Sequence, residues 1–301
     1  MAHLWHFSVV QFDQYSTVFG TVLKGEFKSY NSTPKGLSNA IRTGRSYFKY
    51  PLKNKDLQLK TGQRTLETRT DSKGNFATTI EHVDLQDFRV FTKEGDKVSL
   101  EQTYPVLFDF KNVNTLVISD IDDTIMRSYT STKIKRLLTT LFRPAHKRIK
   151  VQATEKLFQQ LASSDTSFCY VSKSELNLAR LIGDFIQLQN LPEGPLLLTP
   201  YLSFSELVKN IKDPEFKFKS ISWVMDQLKN TSVVLIGDDT QADMDVYARI
   251  VDKYGRQIEK VYIRQTGKAK SVSQSERWEN LVGKGITSVY YNDDPNTITV
   301  K

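Results

Sequence analysis

Two acid-rich segments stand directly after two short apolar runs of the chain. Residues 116–118 lead into the first segment, which has three carboxylates within four residues: Asp120, Asp122 and Asp123. Residues 233–236 lead into the second, whose acids are Asp238, Asp239, Asp243 and Asp245. Carboxylates this close repel one another and raise each other's pKa unless a cation is present. Because hard oxygen ligands suit Mg²⁺, the two segments predict a magnesium site if their strands are neighbours.

Other residues are suited to holding a phosphate group. Ser172 ends a third apolar run, where hydroxyl and backbone N–H groups before a helix can bind phosphate oxygens. Lys217 stands at the start of a later helical pattern and can supply a fixed positive charge; Lys219 is the alternative. Each has an ordinary structural explanation when taken alone, as a helix cap, a turn residue or a surface lysine. Their order along the chain favours the functional interpretation.

The elements that must position these residues are predicted to form an α/β domain over residues 113–301. Short apolar runs alternate there with amphipathic helical patterns, which is typical of a parallel sheet with helices on both faces. In such sheets ligands bind beyond the carboxyl ends of the strands. Strands are predicted near 116–118, 168–171, 196–198, 233–236 and 261–263. Helices are predicted at 152–163, 176–189, 203–211, 217–229 and 241–254.

Residues 1–112 show strand patterns with hardly a helical pattern among them. We predict a strand at 17–23, another at 87–92, and a hairpin whose turn is 71–75. We interpret the first residues, with His3 and His6, as a frayed start, and residues 31–47 as a long loop that has room for a short helix. The expectation is a small all-β, sandwich-like domain in front of the α/β domain.

The composition excludes several classes of protein. The 301 residues are 39% hydrophobic and 25% charged, unlike a disordered or collagen-like chain. The single cysteine, Cys169, excludes an internal disulfide and a cysteine-built zinc site. With no long apolar run and no signal-peptide pattern, we expect a cytoplasmic protein. The net charge of +8 suits an anionic partner, although a solvated basic surface is the more common cause of such a charge. We expect no nucleic-acid partner and predict no protein partner.

A strongly basic segment follows the first acid-rich segment. No acid occurs between Thr124 and Thr154, where apolar residues alternate with basic ones, among them Arg127, Lys133, Lys135, Arg136 and Lys147. Such a stretch can lie on an anionic bilayer as a membrane or substrate rim. It can equally pack over the core as a helix that closes the site like a cap. Both interpretations stay open from the sequence.

The motifs resemble those of the haloacid-dehalogenase superfamily of phosphoryl-transfer enzymes: Asp-x-Asp-x-Thr at 120–124, a serine after the next strand, a helix lysine, and a later Gly-Asp pair. Residues 113–266 also resemble the catalytic domain of the actin-patch phosphatidate phosphatase family, on the segments 117–125, 170–172, 191–198, 235–238 and 262–264. In bacterial members of that family a β-rich domain comes first, as predicted here. The chain departs from the family pattern at 173–175, 199–200 and Phe216.

The resemblance implies a Rossmann-like, haloacid-dehalogenase-type sheet and a Mg²⁺-dependent phosphatase. Asp120 would be the nucleophile, and Mg²⁺ would be held by Asp120, Asp238 and the backbone carbonyl of Asp122. The Asp122 side chain would be the general acid and base, while Thr124, Ser172 and Lys217 would stabilise the transferring oxygens. Supporting roles fall to Asp243 and Asp239. The expected reaction converts phosphatidate to diacylglycerol. The alternatives are a soluble phosphate ester as substrate, and a non-catalytic module that binds anionic lipid.

Overall fold

The fold was analysed in a computed structural model, which describes residues 1–25, 50–62, 64–81, 88–100, 102–127, 150–201, 213–240 and 242–294. Two sheets organise these residues, one in each half of the chain. The loop and short helix expected at 31–47 and the helix expected at 203–211 lie outside the described residues. Among the described residues, no helix is both long enough and apolar enough to cross a membrane.

The N-terminal sheet contains eight strands. They are β1 Ala2–Gln11, β2 Tyr15–Lys24, β3 Asp56–Thr61, β4 Arg64–Arg69, β5 Asn75–Glu81, β6 Phe88–Thr92, β7 Lys97–Leu100 and β8 Leu107–Asp109. Seven follow the order β4-β3-β6-β7-β1-β2-β5. The long strand β1 pairs with β7 at residues 2–4 and with β8 at residues 9–11, both in parallel. The predicted strands at 17–23 and 87–92 are confirmed as β2 and β6.

The predicted hairpin is wrong, although its turn is present. Asp71 Oδ1 accepts hydrogen bonds from the backbone N–H groups of Lys73 and Asn75, and Gly74 adopts a φ of +78°. The flanking strands do not pair with each other, because β4 pairs with β3 and β5 pairs with β2. Since this turn joins the two outermost strands, the sheet must curl until its edges approach each other. One curled sheet around its own core therefore stands where a two-sheet sandwich was expected.

The start of the chain is not frayed, contrary to the prediction. Strand β1 lies inside the sheet, and all of its residues except Ala2 are buried. His3 Nδ1 lies 2.9 Å from the carbonyl oxygen of Gly25, and His6 Nε2 lies 3.4 Å from Ser8 Oγ. One face of β1 packs into the core of its own sheet and the other against the second half of the molecule. A strand buried on both faces loses the alternating pattern by which strands are recognised.

The second half forms a parallel sheet, as predicted, and this sheet has six strands. Its strands are β9 Thr115–Ser119, β10 Thr166–Glu175, β11 Leu196–Thr199, β12 Ser232–Asp238, β13 Ile258–Arg264 and β14 Ser288–Tyr291. Their order is β11-β10-β9-β12-β13-β14, and every pair is parallel. The strands β9 and β12, which lead into the two acid-rich segments, are neighbours at its centre. Their carboxyl ends therefore meet at one edge of the sheet.

Five α-helices accompany this sheet in the described part of the chain. They are α1 Gln152–Leu161, α2 Ala179–Leu188, α3 Phe216–Gln227, α4 Asp243–Tyr254 and α5 Val272–Val282. The first four confirm predicted helices to within three residues at each end, with a short 3₁₀ turn at Leu176–Leu178 preceding α2. The sequence did not predict α5 or β14. Helix α5 begins with a capping box, in which Ser271 Oγ accepts from Gln274 N and Gln274 Oε1 accepts from Ser271 N.

An apolar cluster joins the two halves, in addition to the core inside the N-terminal sheet. Trp5 Nε1 donates to the carbonyl oxygen of Leu176 at 2.7 Å, and the Arg180 guanidinium lies 4.7 Å from a ring centroid of Trp5. Tyr104 OH donates to Gly194 O and accepts from Gly194 N. The ring of Trp223 makes edge contacts with Phe12 and with Phe19 of β2. The N-terminal sheet is thus packed firmly against the α/β part, and the domain limits 1–112 and 113–301 stay a prediction.

Candidate active site

The adjacent ends of β9 and β12 bring buried carboxylates together. Asp120 N donates to the carbonyl oxygen of Ile236 at 2.8 Å, which extends the pairing of the strands to the first acid. Asp120, Asp238 and Asp243 each offer a carboxylate oxygen, and these oxygens lie within 4.8 Å of one another. All three residues are buried. The two acid-rich segments of the sequence therefore form one cluster, which we call the acid cluster.

Gly237 is required where α4 approaches β12. A Cβ atom at residue 237 would lie 2.7 Å from Asp243 Oδ2 and 2.9 Å from the ring of Tyr247. Tyr247 OH donates to the carbonyl oxygen of Ile236 at 2.8 Å and holds the helix against the strand. The absence of a side chain at 237 allows Asp243, the first residue of α4, to reach the backbone N–H of Asp238.

The structure places Lys217, and not Lys219, against the acid cluster. Lys217 is 1% exposed, and its Nζ lies 2.7 Å from Asp120 Oδ1 and in contact with Asp243 Oδ1. Lys219 is exposed and pairs with Asp213 at the surface. Burial lowers the pKa of Lys217, but the carboxylates of Asp120, Asp243 and Asp238 outweigh it and raise that pKa above its usual value. Lys217 is therefore a fixed cation beside the predicted nucleophile.

One buried ammonium group faces three buried carboxylates, so the acid cluster has an excess of negative charge. Burial, and then the neighbouring Asp243, raise the pKa of Asp238 to about 7. Burial and the neighbouring acids also raise the pKa of Asp120 well above its usual range, against the opposing effect of Lys217. A divalent cation held by hard carboxylate oxygens would remove this cost, so the residues present fit Mg²⁺.

The hydrogen bonds divide the acid cluster into two kinds of carboxylate. Asp243 uses both oxygens on the protein, since Oδ1 contacts Lys217 and Oδ2 accepts from the N–H of Asp238. Asp120 and Asp238 share Thr124, whose Oγ1 lies 3.2 Å from Asp120 Oδ2 and 3.4 Å from Asp238 Oδ2. Asp238 Oδ1 also accepts from Thr240. Asp120 Oδ1 also contacts Lys217, so all three carboxylates have protein partners on both oxygens, and Asp120 and Asp238 differ from Asp243 in sharing the Thr124 hydroxyl.

The side chain of Asp122 stands apart from the acid cluster. Its Oδ2 accepts a hydrogen bond from Ser172 Oγ at 3.2 Å and a shorter one from Ser174 Oγ at 2.6 Å. Ser174 N donates to Ser172 Oγ, which ties the two serines together. Ser174 was not among the predicted site residues. Its place in the site could have been predicted, because it is two residues from Ser172 and residues two apart on a strand point to the same face.

Asp239 does not join the acid cluster. Its Oδ1 accepts from Thr266 N and Oγ1, and its Oδ2 accepts from Tyr290 OH. These bonds connect β12 with the residues after β13 and with β14. Asp245, on the first turn of α4, lies 3.9 Å from Arg277. Asp239 and Asp245 therefore bind residues of neighbouring elements and are not part of the acid cluster.

Two residues far along the chain hold the turn between Asp120 and Met126. Asp123 adopts a φ of +58°, and its carbonyl oxygen accepts from Arg264 Nη1 at 2.5 Å. Thr154 Oγ1 donates to the carbonyl oxygen of Thr124 at 2.7 Å. Arg264 is 4% exposed and also pairs with Asp293. Neither Arg264 nor Thr154 was among the predicted site residues.

The basic segment is described only at its ends. Arg127 pairs with Asp293 at 2.7 Å, and Lys150 pairs with Glu155 at 2.6 Å. The other predicted rim residues, Lys133, Lys135, Arg136 and Lys147, lie outside the described residues. The choice between a membrane rim and a cap therefore stays a prediction.

The strands and helices that carry the acid cluster match a known protein family. Residues 115–265, half of the chain, match the family described as "Phosphatidate phosphatase APP1, catalytic domain". Among solved structures, a carbohydrate acetylesterase from Xanthomonas citri covers 94% of this chain and 66% of its own, at 10% identity. Its TM-score of 0.32 is too low to support an argument.

Two curated relatives carry phosphatidate phosphatase in their names. "Phosphatidate phosphatase APP1" of Saccharomyces cerevisiae is 24% identical over 174 residues, which cover 57% of this chain and 29% of the yeast protein. "Phosphatidate phosphatase LPIN1" of Homo sapiens is 35% identical over 111 residues, which cover 35% of this chain and 12% of the human protein. The matched regions span less than a third of either relative. The matches point to a phosphoric monoester hydrolase, and the chain belongs to the APP1-type family of phosphatidate phosphatase catalytic domains.

Proposed function

We propose that the protein is a Mg²⁺-dependent phosphatase of the haloacid-dehalogenase type, which hydrolyses phosphatidate to diacylglycerol through an aspartyl-phosphate on Asp120. The observation that carries the proposal is the contact of Asp120 with Lys217 inside the acid cluster, while a second carboxylate, Asp122, is held separately on two serines. Asp120 and Asp122, two residues apart, thus have different environments. This difference suits one as the nucleophile and the other as the general acid and base.

The metal ion would be held by Asp120 and Asp238, with the backbone carbonyl of Asp122 as the ligand that the family resemblance adds. When bound, Mg²⁺ neutralises the phosphate dianion and orients it for in-line attack. Lys217 and the hydroxyls of Thr124 and Ser172 contribute further stabilisation of the transferring oxygens. Asp243 keeps Lys217 in place through its contact with Nζ.

The reaction has two balanced steps. A carboxylate oxygen of Asp120 attacks phosphorus, the bond between phosphorus and the glycerol oxygen breaks, and Asp122 gives its proton to the departing oxygen. Diacylglycerol then leaves. In the second step Asp122 takes a proton from water, the water oxygen attacks phosphorus, and the bond to Asp120 breaks to release phosphate. The chain ends the cycle with both carboxylates as they began.

The choice of phosphatidate is supported by the names of the relatives and by the charge of the chain. The net charge of +8, with the basic segment between Thr124 and Thr154, suits work at the surface of an anionic membrane by a cytoplasmic protein. If the substrate is instead a soluble phosphate ester, the proposed mechanism stays the same and only the substrate changes.

The test is phosphate release from phosphatidate in mixed micelles, compared with glycerol 3-phosphate and p-nitrophenyl phosphate, each with Mg²⁺ and with chelator. We expect release from phosphatidate that is fastest of the three and is abolished by the chelator. Faster release from the soluble esters would favour the soluble-substrate alternative. Binding to phosphatidate vesicles without any release would identify a lipid-binding module and contradict the proposal.

A further inference from the structure

A cavity of about 590 Å³, open to solvent on one side, lies between the N-terminal sheet and the parallel sheet. Its walls are mainly apolar, with Phe19, Leu176, Leu197, Phe216 and Trp223 among the lining side chains. It is separate from the acid cluster, and no step of the proposed reaction uses it.

The cavity begins beside the lysine of the active site. Phe216, Lys219, Ser220 and Trp223 line it, and their spacing of three, four and seven residues places them on one face of α3. Lys217 lies on the neighbouring face of the same helix, where it is buried against Asp120. One helix therefore forms a wall of the cavity and carries the cation of the active site.

The cavity also runs along the open edge of β11 toward the active site. Residues 196–198 all line it, although successive strand residues point to opposite faces of a sheet. A cavity that touches all three must follow the edge of the strand, and β11 is the outermost strand of its sheet. The strand ends at Thr199, whose Oγ1 donates to the carbonyl oxygens of Lys173 and Ser174. Ser174 in turn holds Asp122, so the cavity leads to the carboxyl edge of the sheet where the reaction is proposed.

Several polar groups that line the cavity have partners within the protein. Thr21 Oγ1 donates to Asn75 Oδ1, and Arg69 and Lys219 form ion pairs with acids at the surface. Within the described part of the chain, no lining residue has a buried side-chain polar atom without a hydrogen bond. A polar ligand would gain little there, whereas a hydrocarbon chain would gain free energy from every methylene taken out of water.

We infer that this cavity binds an acyl chain of the lipid substrate. The inference rests on the proposed function, because it requires that the phosphate of the same molecule reaches Asp120. It adds that the enzyme recognises the substrate by its chain as well as by its phosphate. It also gives the N-terminal sheet a role, since β2 and β5 supply one wall of the chain site.

The test uses phosphatidates with two butanoyl, hexanoyl or octanoyl chains, each kept below its micelle concentration with Mg²⁺ present. For the wild type we expect kcat/KM to rise with chain length, by up to about fourfold for each methylene that becomes buried. Ala77→Trp and Ser220→Trp should fill the cavity from opposite walls and flatten this rise. Thr79→Trp, on the same strand as Ala77 but outside the cavity, should keep it.

The dibutanoyl substrate and thermal unfolding report whether each variant is folded. Unchanged kcat/KM for dibutanoyl phosphatidate with a flattened chain-length dependence would support the inference. A wild-type rate that is the same for all three chains, or a rise that both cavity variants retain, would overturn it while the proposed function stands. If the wild type releases phosphate from none of these lipids, the proposed function itself fails. A cavity variant that changes the oligomeric state by gel filtration would identify the cavity as a protein interface and also overturn the inference.

Discussion

At the scale of single residues, Asp120 and Asp122 differ in the groups that surround them. Asp120 lies among Asp238, Asp243 and Lys217, where charge is concentrated, whereas Asp122 rests on the hydroxyls of two serines. The first environment suits a nucleophile that must approach an anionic phosphate beside cations. The second orients a carboxyl group for proton transfer without placing it on the metal.

Ser174 is expected to position Asp122, although it would not touch the substrate. Ser174→Ala removes the 2.6 Å hydrogen bond to Asp122 Oδ2. Because hydrogen bonds to charged groups contribute about 1.5–3 kcal/mol, kcat should fall by about ten- to a hundredfold. KM should change much less, since phosphate binding is assigned to other groups.

The control for this prediction is Ser167→Ala on the same strand, whose hydroxyl lies 3.4 Å from the carbonyl oxygen of Asp109, away from Asp122. Steady-state kinetics on phosphatidate compares the two variants. Equal kinetics of Ser174→Ala and Ser167→Ala would show that Ser174 does not position Asp122.

At the scale of elements, strand β13 supports the turn that carries the nucleophile. Arg264→Met would remove the hydrogen bond to the Asp123 carbonyl and leave Asp293 without its buried partner. We expect kcat to fall by at least about tenfold, with Mg²⁺ affinity reduced as well, because the backbone carbonyl of Asp122 stands next to the loosened peptide. Activity measured against Mg²⁺ concentration gives both quantities.

Lys260→Met is the matched control, because it removes a cation from the same strand away from the turn. Its Mg²⁺ dependence should follow that of the wild type. If Arg264→Met has normal kcat and Mg²⁺ affinity at a temperature where it is folded, the turn does not depend on β13.

The same scale shows what a single sequence can predict. The strands β9, β10 and β12 were predicted from apolar runs that lead into Asp120, Ser172 and Asp238, because local composition and site chemistry coincide there, whereas their order in the sheet was left open. The pairing of β4 and β5 was wrong, because the turn at 71–75 is a local property whereas strand partners are chosen by the whole sheet. The frayed start was wrong because β1 is buried on both faces.

Other site residues were assigned from the sequence with an alternative left open, or not at all, for related reasons. Lys217 and Lys219 are two residues apart on a helix, and only the packing of α3 decides which faces the acids. Arg264 and Asp123 are 141 positions apart in the sequence, so nothing in the local sequence connects them. Ser174 could have been predicted, because it is two residues from Ser172 on β10 and residues two apart on a strand point to the same face.

At the scale of the whole molecule, a buried histidine links stability to pH. Burial, and then the nearby Arg180, lower the pKa of His6 to about 4, whereas the unfolded chain should have a value near 6.5. The unfolded state therefore binds more protons than the folded state between these values. The contribution of His6 to the free energy of unfolding is therefore fully present above about pH 6.5 and is lost as the pH falls toward 4.

We expect the free energy of unfolding to decrease by about 2 kcal/mol more in the wild type than in His6→Gln between pH 7.5 and pH 5. Urea unfolding at the two pH values measures the difference, and the titration of the acid cluster, common to both proteins, cancels. An equal pH dependence of the two proteins would show that His6 does not titrate with unfolding.

The basic segment is the part of the molecule proposed to meet the membrane. Replacing Lys133, Lys135, Arg136 and Lys147 by Gln should weaken binding to anionic vesicles, by up to about a thousandfold if each contributes about 1 kcal/mol. Sedimentation with vesicles measures the binding, and raised salt should weaken the wild type as well. Turnover of short-chain phosphatidate should change much less. Unchanged vesicle binding with a collapse of that turnover would identify the segment as a cap over the site.

The central claim is that Asp120 receives the phosphoryl group. The most direct measurement is mass spectrometry of the protein quenched with acid during turnover of phosphatidate, in the wild type, in Asp120→Asn and in Asp122→Asn. We predict a phosphoryl group on the peptide that contains Asp120, slower turnover in Asp122→Asn because both proton transfers are impaired, and neither label nor turnover in Asp120→Asn. Phosphate release by Asp120→Asn at the wild-type rate, or turnover with the phosphoryl group on another residue, would contradict the mechanism.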